Sequence, residues 1–148
     1  MSRECELIDE ILNRMKICIS SDLITYEMNG KEREKNEKLF CKYVINSQQR
    51  NKILNELTVQ NYCESILDRQ KTDPQYENTL YVFGIEKELR ERITGNKKIV
   101  PIYIKFQFFK IDLGETSTLI ISFHEAEKPL RYMYKLLIGI KNEKSNMH

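Results

Sequence analysis

Two segments in the last third of the chain alternate between apolar and polar residues, which is the pattern of half-buried β-strands. In Pro101–Lys110 the apolar positions on one face are Ile102, Ile104, Phe106 and Phe108. In Thr118–His124 the corresponding positions are Leu119, Ile121 and Phe123. A short turn around Gly114 joins the two segments, so the pattern predicts an antiparallel hairpin with one buried face.

The other face of this hairpin is expected to carry the polar residues of both strands. A turn centred between Gly114 and Glu115 sets the register of the two strands. The predicted cross-strand pairs are Lys105 with His124, Gln107 with Ser122 and Tyr103 with Ala126. A tyrosine, a lysine, a glutamine, a serine and the only internal histidine would therefore share one face.

Upstream of the hairpin, the first half of the chain is mainly helical in pattern. The predicted elements are a helix over Glu4–Ile19, a strand over Leu23–Met28, a helix from Lys31 and a helix from an Asn46 or Ser47 N-cap to Leu57. The run Lys31–Lys38 is dense in charges of both signs, which is typical of an exposed helix with i,i+4 ion pairs. An edge strand or a loop is the alternative for this run.

Strand patterns dominate the second half. Before the hairpin we expect a connector to Leu67, a loop over Gln70–Asn78 and a strand over Thr79–Phe83 that Gly84 ends or bulges. Glu86–Ile93 is then predicted to form either a helix or an extension of that strand. After the hairpin we expect a final strand over Leu130–Ile140 and a frayed tail over Lys141–His148. Because helices precede strands, we predict an α+β fold with the helices on one face of a twisted, mostly antiparallel sheet. The 148 residues fit one domain, helical in about 4–67 and a sheet in about 79–140.

Composition excludes several classes of protein. A net charge of +2, with the basic excess confined to residues 101–148, is far from the basic surface of a dedicated nucleic-acid binder, although it is compatible with an anionic ligand. The longest apolar runs are too short to span a membrane, and the acidic N-terminal residues do not resemble a secretory signal. We therefore expect a cytoplasmic protein without membrane contact. The widely spaced cysteines, Cys5, Cys18, Cys41 and Cys63, predict reduced thiols and no zinc site.

The candidate chemistry lies on the polar face of the hairpin. His124 has the side chain best suited to acid–base catalysis near neutral pH, and Lys105 could neutralise a phosphate. Tyr103, Tyr132 and Tyr134 could stack on unpaired bases. Each of these residues also has a structural interpretation, as a hydrogen-bonded histidine, a solvated lysine or half-buried sheet aromatics. The chain lacks a Gly-rich phosphate loop, a Gly-x-Ser-x-Gly motif and a His-x-x-x-His pair.

Several of these segments resemble the C-terminal half of the MqsR family of bacterial type II toxins, which are mRNA interferases with a RelE-like fold. The matching runs are Ile102-Tyr103-Ile104-Lys105, Ile121 to Glu127, Pro129-Leu130, Tyr134-Lys135, Tyr81-Val82-Phe83-Gly84 and Leu57 to Tyr62. The resemblance covers about the last half of the chain. It implies a RelE-like α+β fold and metal-independent cleavage of single-stranded mRNA.

The resemblance also implies roles for residues and for partners. His124 would perform acid–base chemistry, Lys105 would stabilise charge on the phosphate and Tyr103 would position it. The implied RNA-binding residues are Gln107, Lys128, Arg131, Tyr134 and Lys135. No metal or cofactor is expected, and a cognate antitoxin protein would neutralise the toxin.

A second hypothesis stays open beside the ribonuclease. The chain departs from the family pattern at Asn61, Ile85 and Met133, and its charges are nearly balanced. These features favour a non-catalytic interaction or regulatory protein, related to defence or anti-defence, that reuses the fold. Cleavage of a short RNA in the presence of EDTA separates the two hypotheses.

Overall fold

The computed structural model describes residues 2–112 and 114–133, and its α+β architecture confirms the predicted fold class. The helices are α1 (Arg3–Ser20), α2 (Gly30–Lys42) and α3 (Ser47–Glu56), with a 3₁₀ turn at Val59–Asn61. The strands are β1 (Ile24–Tyr26), β2 (Tyr62–Leu67), β3 (Thr79–Arg90), β4 (Lys97–Lys110) and β5 (Thr116–Glu125). The run that begins at Lys31 is thus part of a helix, which rules out the strand and loop alternatives.

The five strands form one mixed sheet in the order β1-β5-β4-β3-β2. Only β1 runs parallel to its neighbour, pairing residues Ile24–Tyr26 with Thr118–Ile120. The other three pairs are antiparallel, and β3 and β4 pair without interruption from Tyr81 with Phe106 to Arg90 with Lys97. The long central hairpins confirm that the second half of the chain builds most of the sheet.

The helices and one face of the sheet enclose a single cluster of buried apolar side chains. The sheet contributes Phe83, Val100, Ile102, Ile104, Phe106, Phe108, Ile120 and Phe123, and the helices contribute Leu12, Met15, Leu39, Ile53 and Leu54. The predicted apolar face of β4 is therefore confirmed in full. Burial of these large side chains is the main source of the free energy that holds the helices on the sheet.

The predicted register is wrong from the turn onwards, since Lys110 pairs with Thr116, whereas a turn centred between Gly114 and Glu115 would pair it with Leu119. A β-bulge in β5 then changes the register once more. Lys105 pairs with Ser122, but its neighbour Phe106 pairs with Ile120, so Ile121 is an additional residue in the ladder. Strict alternation in β5 is broken at this point, and Ile120 rather than Leu119 or Ile121 joins the core. Tyr103, not Lys105, lies directly opposite His124.

Helix α2 covers the edge of the sheet where β1 has ended. Beyond Ile120, β5 has no neighbouring strand on that side, and the side chain of Asn36 takes the place of one. The Asn36 amide donates to the carbonyl of Ile121 at 3.0 Å and accepts from the N–H of Phe123 at 2.7 Å. Because Asn36 is only 3% exposed, these bonds fix α2 against β5 in a site that water does not reach.

Three other sequence predictions differ from the structure. The connector after α3 contains strand β2, and β3 continues through Gly84 to Arg90, so the alternative of a helix over Glu86–Ile93 is wrong. Gly84 neither ends nor bulges β3. A Cβ atom at this position would lie 2.7 Å from Cδ2 of Leu130, so the segment after β5 packs directly on the backbone of β3. Most of the predicted strand 130–140 and the tail 141–148 lie outside the described residues.

Replacing Asn36 with Ala should destabilise the protein by about 2–4 kcal/mol, because a buried carbonyl and a buried N–H of β5 lose their partners. Urea unfolding followed by circular dichroism measures the change. Asn29→Ala at the start of the same helix is the control, since Asn29 is exposed and its side chain makes no capping bond. Equal stabilities of the two variants would contradict the role of Asn36.

Candidate functional site

The face of the sheet opposite the helices brings together the three residues predicted to be catalytic. Tyr103 pairs with His124 and Lys105 pairs with Ser122, so the four side chains project from the same face. The prediction that these residues share one face is therefore confirmed, although their cross-strand partners differ from the predicted ones. The bulge creates this shared face, because its additional residue moves Ser122 and His124 to the side of Tyr103 and Lys105.

His124 is held on three sides and is only 5% exposed. Its Nδ1 atom lies 2.9 Å from the carbonyl oxygen of Glu125, and its Nε2 atom lies 3.4 Å from Oε2 of Glu32. Its ring stacks on Tyr103 with a centroid distance of 5.4 Å and an interplanar angle of 22°. Both nitrogens thus face oxygens that accept hydrogen bonds, and the contact with Glu32 is an ion pair when the imidazole carries two protons.

Glu32 is the site residue that sequence reasoning missed. It lies on α2 one turn before Asn36, and its Oε2 accepts a hydrogen bond of 2.6 Å from the Ser122 hydroxyl. Partial burial opposes ionisation of the carboxyl group. The bond from Ser122 and the charges of Lys105, Lys35 and His124 outweigh this effect, and together they lower the pKa of Glu32. The sequence offers one signal for this role, since Asn36, one turn further along the charged run, is uncharged.

Lys105 lies in the wall of an open groove of about 860 Å³ on this face. The groove runs between the start of α2 and the connection from β2 to β3. Its charged lining residues are Glu27, Lys31, Glu32, Asp68, Arg69, Lys71 and Lys105. Lys105 is half-buried and makes no salt bridge or side-chain hydrogen bond with another described residue, so its ammonium group is available to an anionic ligand.

Tyr103 is half-buried beside this groove and cannot readily ionise. Burial, together with the nearby charges of Glu64 and Glu32, raises the pKa of its hydroxyl group to about 12. At neutral pH the hydroxyl is therefore protonated and can donate a hydrogen bond. The stacked geometry suits Tyr103 to support the His124 ring rather than to accept a proton.

Gln107 is fully buried, and the nitrogen of its side-chain amide is already engaged, whereas the amide oxygen has no hydrogen-bond partner among the described residues. The amide nitrogen donates to Oδ2 of Asp68 at 2.7 Å and to the carbonyl of Glu77 at 2.9 Å. Asp68 also accepts bonds from the backbone N–H groups of Gln70 and Lys71. In this structure Gln107 therefore anchors the wall of the groove, and contact with RNA would require these bonds to break.

The other predicted RNA-binding residues lie on or after the segment that follows β5. Lys128 and Arg131 are exposed, and the backbone of Arg131 lies near the thiol of Cys63 on β2. Arg131 is thus placed across the sheet from His124. Tyr134 and Lys135 lie outside the described residues, and their predicted roles stay predictions.

The structure also bears on the other candidate groups. All four cysteines have free thiols. Within residues 2–112 and 114–133, no three His, Cys, Asp or Glu side chains are grouped so that they could hold a metal ion. In the same part of the chain, no helix is both long and apolar enough to cross a membrane.

Comparisons with known proteins gave no match, so a proposal for the function rests on this geometry and on the sequence resemblance. No family model matches the chain. No match was found among curated proteins or among solved structures.

The lowered pKa of Glu32 predicts a pH-dependent contribution to stability. An ionised Glu32 stabilises the folded state above the ordinary pKa of 4.5, and this contribution is lost as the pH falls through the lower folded-state value. Wild-type protein should therefore be more stable than the Glu32→Gln variant at pH 7, and the difference should shrink below about pH 4.5. Urea unfolding at a series of pH values measures it.

Glu34→Gln, an exposed position on the same helix, is the control for this titration. Its difference from wild type should vary less with pH, because Glu34 forms no salt bridge with a described residue. A Glu32→Gln difference that stays constant from pH 7 to pH 3 would show that the carboxylate does not stabilise the fold.

Proposed function

We propose that this chain is a toxin-type endoribonuclease that cleaves single-stranded mRNA in the cytoplasm and is neutralised by an antitoxin protein. The observation that carries the proposal is the position of Lys105. Its ammonium group lies in the wall of an open groove without an ion pair to a described residue, beside the Glu32–His124 pair. A cation without a salt bridge to a described residue, next to proton-transfer groups, is suited to phosphodiester cleavage.

The reaction needs no group that the chain lacks. The 2′-oxygen of a ribose loses its proton and forms a bond to the adjacent phosphorus, while the bond from phosphorus to the 5′-oxygen breaks. The products are a 2′,3′-cyclic phosphate and a protonated 5′-hydroxyl. Lys105 would stabilise the negative charge that builds up on the phosphoryl oxygens, and the Glu32–His124 pair would supply acid–base catalysis.

The charged residues that line the groove have a small excess of cations. Lys31, Arg69, Lys71 and Lys105 line it, and they are the cations that a phosphate backbone would meet. Glu27, Glu32 and Asp68 lie among them, so the groove has no uniformly basic surface. Binding by this groove would therefore be moderate and sensitive to salt.

The sequence resemblance supports the same activity. The segments that resemble MqsR-family toxins include Tyr103, Lys105 and His124, and these residues share one face of the sheet. The partner expected from that resemblance is an antitoxin, and the substrate is mRNA.

A specific observation favours the non-catalytic alternative. His124 is 5% exposed and both of its ring nitrogens face groups of the protein itself, as in a histidine that only stabilises the fold. A protein of this kind would bind a partner through the same face without cleaving RNA. Direct measurement of cleavage decides between the two functions.

Purified protein should cleave a mixed-sequence single-stranded RNA in the presence of EDTA and leave 2′,3′-cyclic phosphate ends. Lys105→Ala should lower the cleavage rate by roughly 10²–10³-fold, because charge on the phosphoryl oxygens loses its counterion. Gel electrophoresis of end-labelled RNA measures both results. An all-deoxy strand should remain intact, since it lacks the attacking hydroxyl.

Lys110→Ala is the matched control, because Lys110 is exposed on the same strand and lies outside the groove. This variant should cleave at the wild-type rate. Intact RNA with wild-type protein at high concentration would reject the ribonuclease and support the interaction protein.

A further inference from the structure

We infer that Glu32 is the group that touches the RNA and takes the proton from the 2′-hydroxyl, and that His124 is a positioning residue behind it. This inference rests on the proposed ribonuclease function and assigns its general base. No sequence pattern singled out Glu32, which lies on α2, far along the chain from the hairpin.

The two members of the pair differ in their access to the groove. The side chain of Glu32 is 29% exposed and forms part of the groove lining together with Lys105. The side chain of His124 is 6% exposed and does not line the groove. A base must come within hydrogen-bonding distance of the hydroxyl that it deprotonates, so Glu32 is the better placed of the two.

The carboxylate of Glu32 has one oxygen held and one oxygen available. Oε2 accepts the bond from Ser122 at 2.6 Å and lies 3.4 Å from Nε2 of His124. The Oε1 atom lies 3.8 Å from Nζ of Lys35, which is too long for a hydrogen bond. Two fixed contacts on one oxygen orient the carboxylate, and the other oxygen can accept a proton.

The proton balance of the step is simple. The 2′-hydroxyl proton moves to Oε1 of Glu32 as the 2′-oxygen bonds to phosphorus. The 5′-oxygen leaves with the electron pair of its bond to phosphorus and takes a proton from water in the open groove. The hydroxide formed in this way removes the proton from Glu32 and restores the carboxylate.

The groups around Glu32 keep its carboxyl group ionised, as a general base must be. Lys105 on β4, His124 on β5 and Lys35 on α2 all favour the ionised carboxylate, and they lower its pKa. At neutral pH Glu32 is therefore unprotonated and able to accept a proton. A base of low pKa is weak, and orientation by Ser122 and His124 would offset part of this weakness.

The test compares Glu32→Gln, Glu32→Asp and His124→Gln with wild type on one RNA that wild type cleaves. Glu32→Gln should lower kcat by roughly 10²–10⁴-fold, while the affinity for the same strand made of deoxynucleotides changes less than about threefold. Glu32→Asp keeps a carboxylate on a shorter side chain and should retain more activity than Glu32→Gln. Glu37→Gln, on an exposed part of α2, should cleave as wild type does.

The pH profile separates a base from a residue that only supports the fold. The wild-type rate should fall at low pH as Glu32 becomes protonated. His124→Gln should move this fall to higher pH, because loss of the imidazole raises the pKa of Glu32. Glu32→Gln should lack the fall altogether.

The possible failures are distinguishable. Wild-type protein that leaves RNA intact rejects the ribonuclease and this inference with it. If wild type cleaves and Glu32→Gln keeps more than about a tenth of its kcat, the ribonuclease stands and Glu32 is not its base. Loss of the acidic fall in His124→Gln, with the fall retained in Glu32→Gln, would assign the base to His124 itself.

Discussion

The hydrogen bonds between the Asn36 side chain and the backbone of β5 are the constraint on which the functional face depends. They place α2 along an edge of the sheet that β1 is too short to cover. Once α2 is fixed there, Glu32 lies one turn away and reaches around the edge to Ser122 and His124. A salt bridge of 2.7 Å between Lys35 and Glu127 joins the same helix to the segment after β5. One buried amide thus sets the position of a carboxylate on the opposite face.

The β-bulge at Ile121 is the second feature that shapes this face. It allows the apolar residues Ile120 and Phe123 to point into the core although they are an odd number of positions apart. Ile121 then lies on the other face, where it lines the groove beside Lys105. Without the additional residue, Ser122 and Ile120 would lie on the same face and either the core or the site would lose its side chains.

The sequence predicted well those features that depend on local periodicity. The alternation in Pro101–Lys110 identified the buried face of β4, and one of the two predicted N-cap residues, Asn46, caps α3. The register of β5 was wrong because the predicted centre of the turn was wrong: Lys110 pairs with Thr116 and not with Leu119. The bulge was missed because it falls within the consecutive apolar residues Leu119, Ile120 and Ile121. Glu32 was missed because its role depends on tertiary packing of α2, and the charged run predicted only an exposed helix.

The distance along the chain between the two halves of the site has a consequence for synthesis of the protein. Glu32 and Ser122 are 90 residues apart, and Asn36 and Phe123 are 87 apart. Strand β1 likewise cannot pair before β5 has been synthesised, since its only neighbour among the described strands is β5, near the other end of the described chain. A nascent chain therefore carries α2 and β1 without their partners until β5 has left the ribosome. The face with Lys105 and His124 is completed only after the chain has been synthesised through β5.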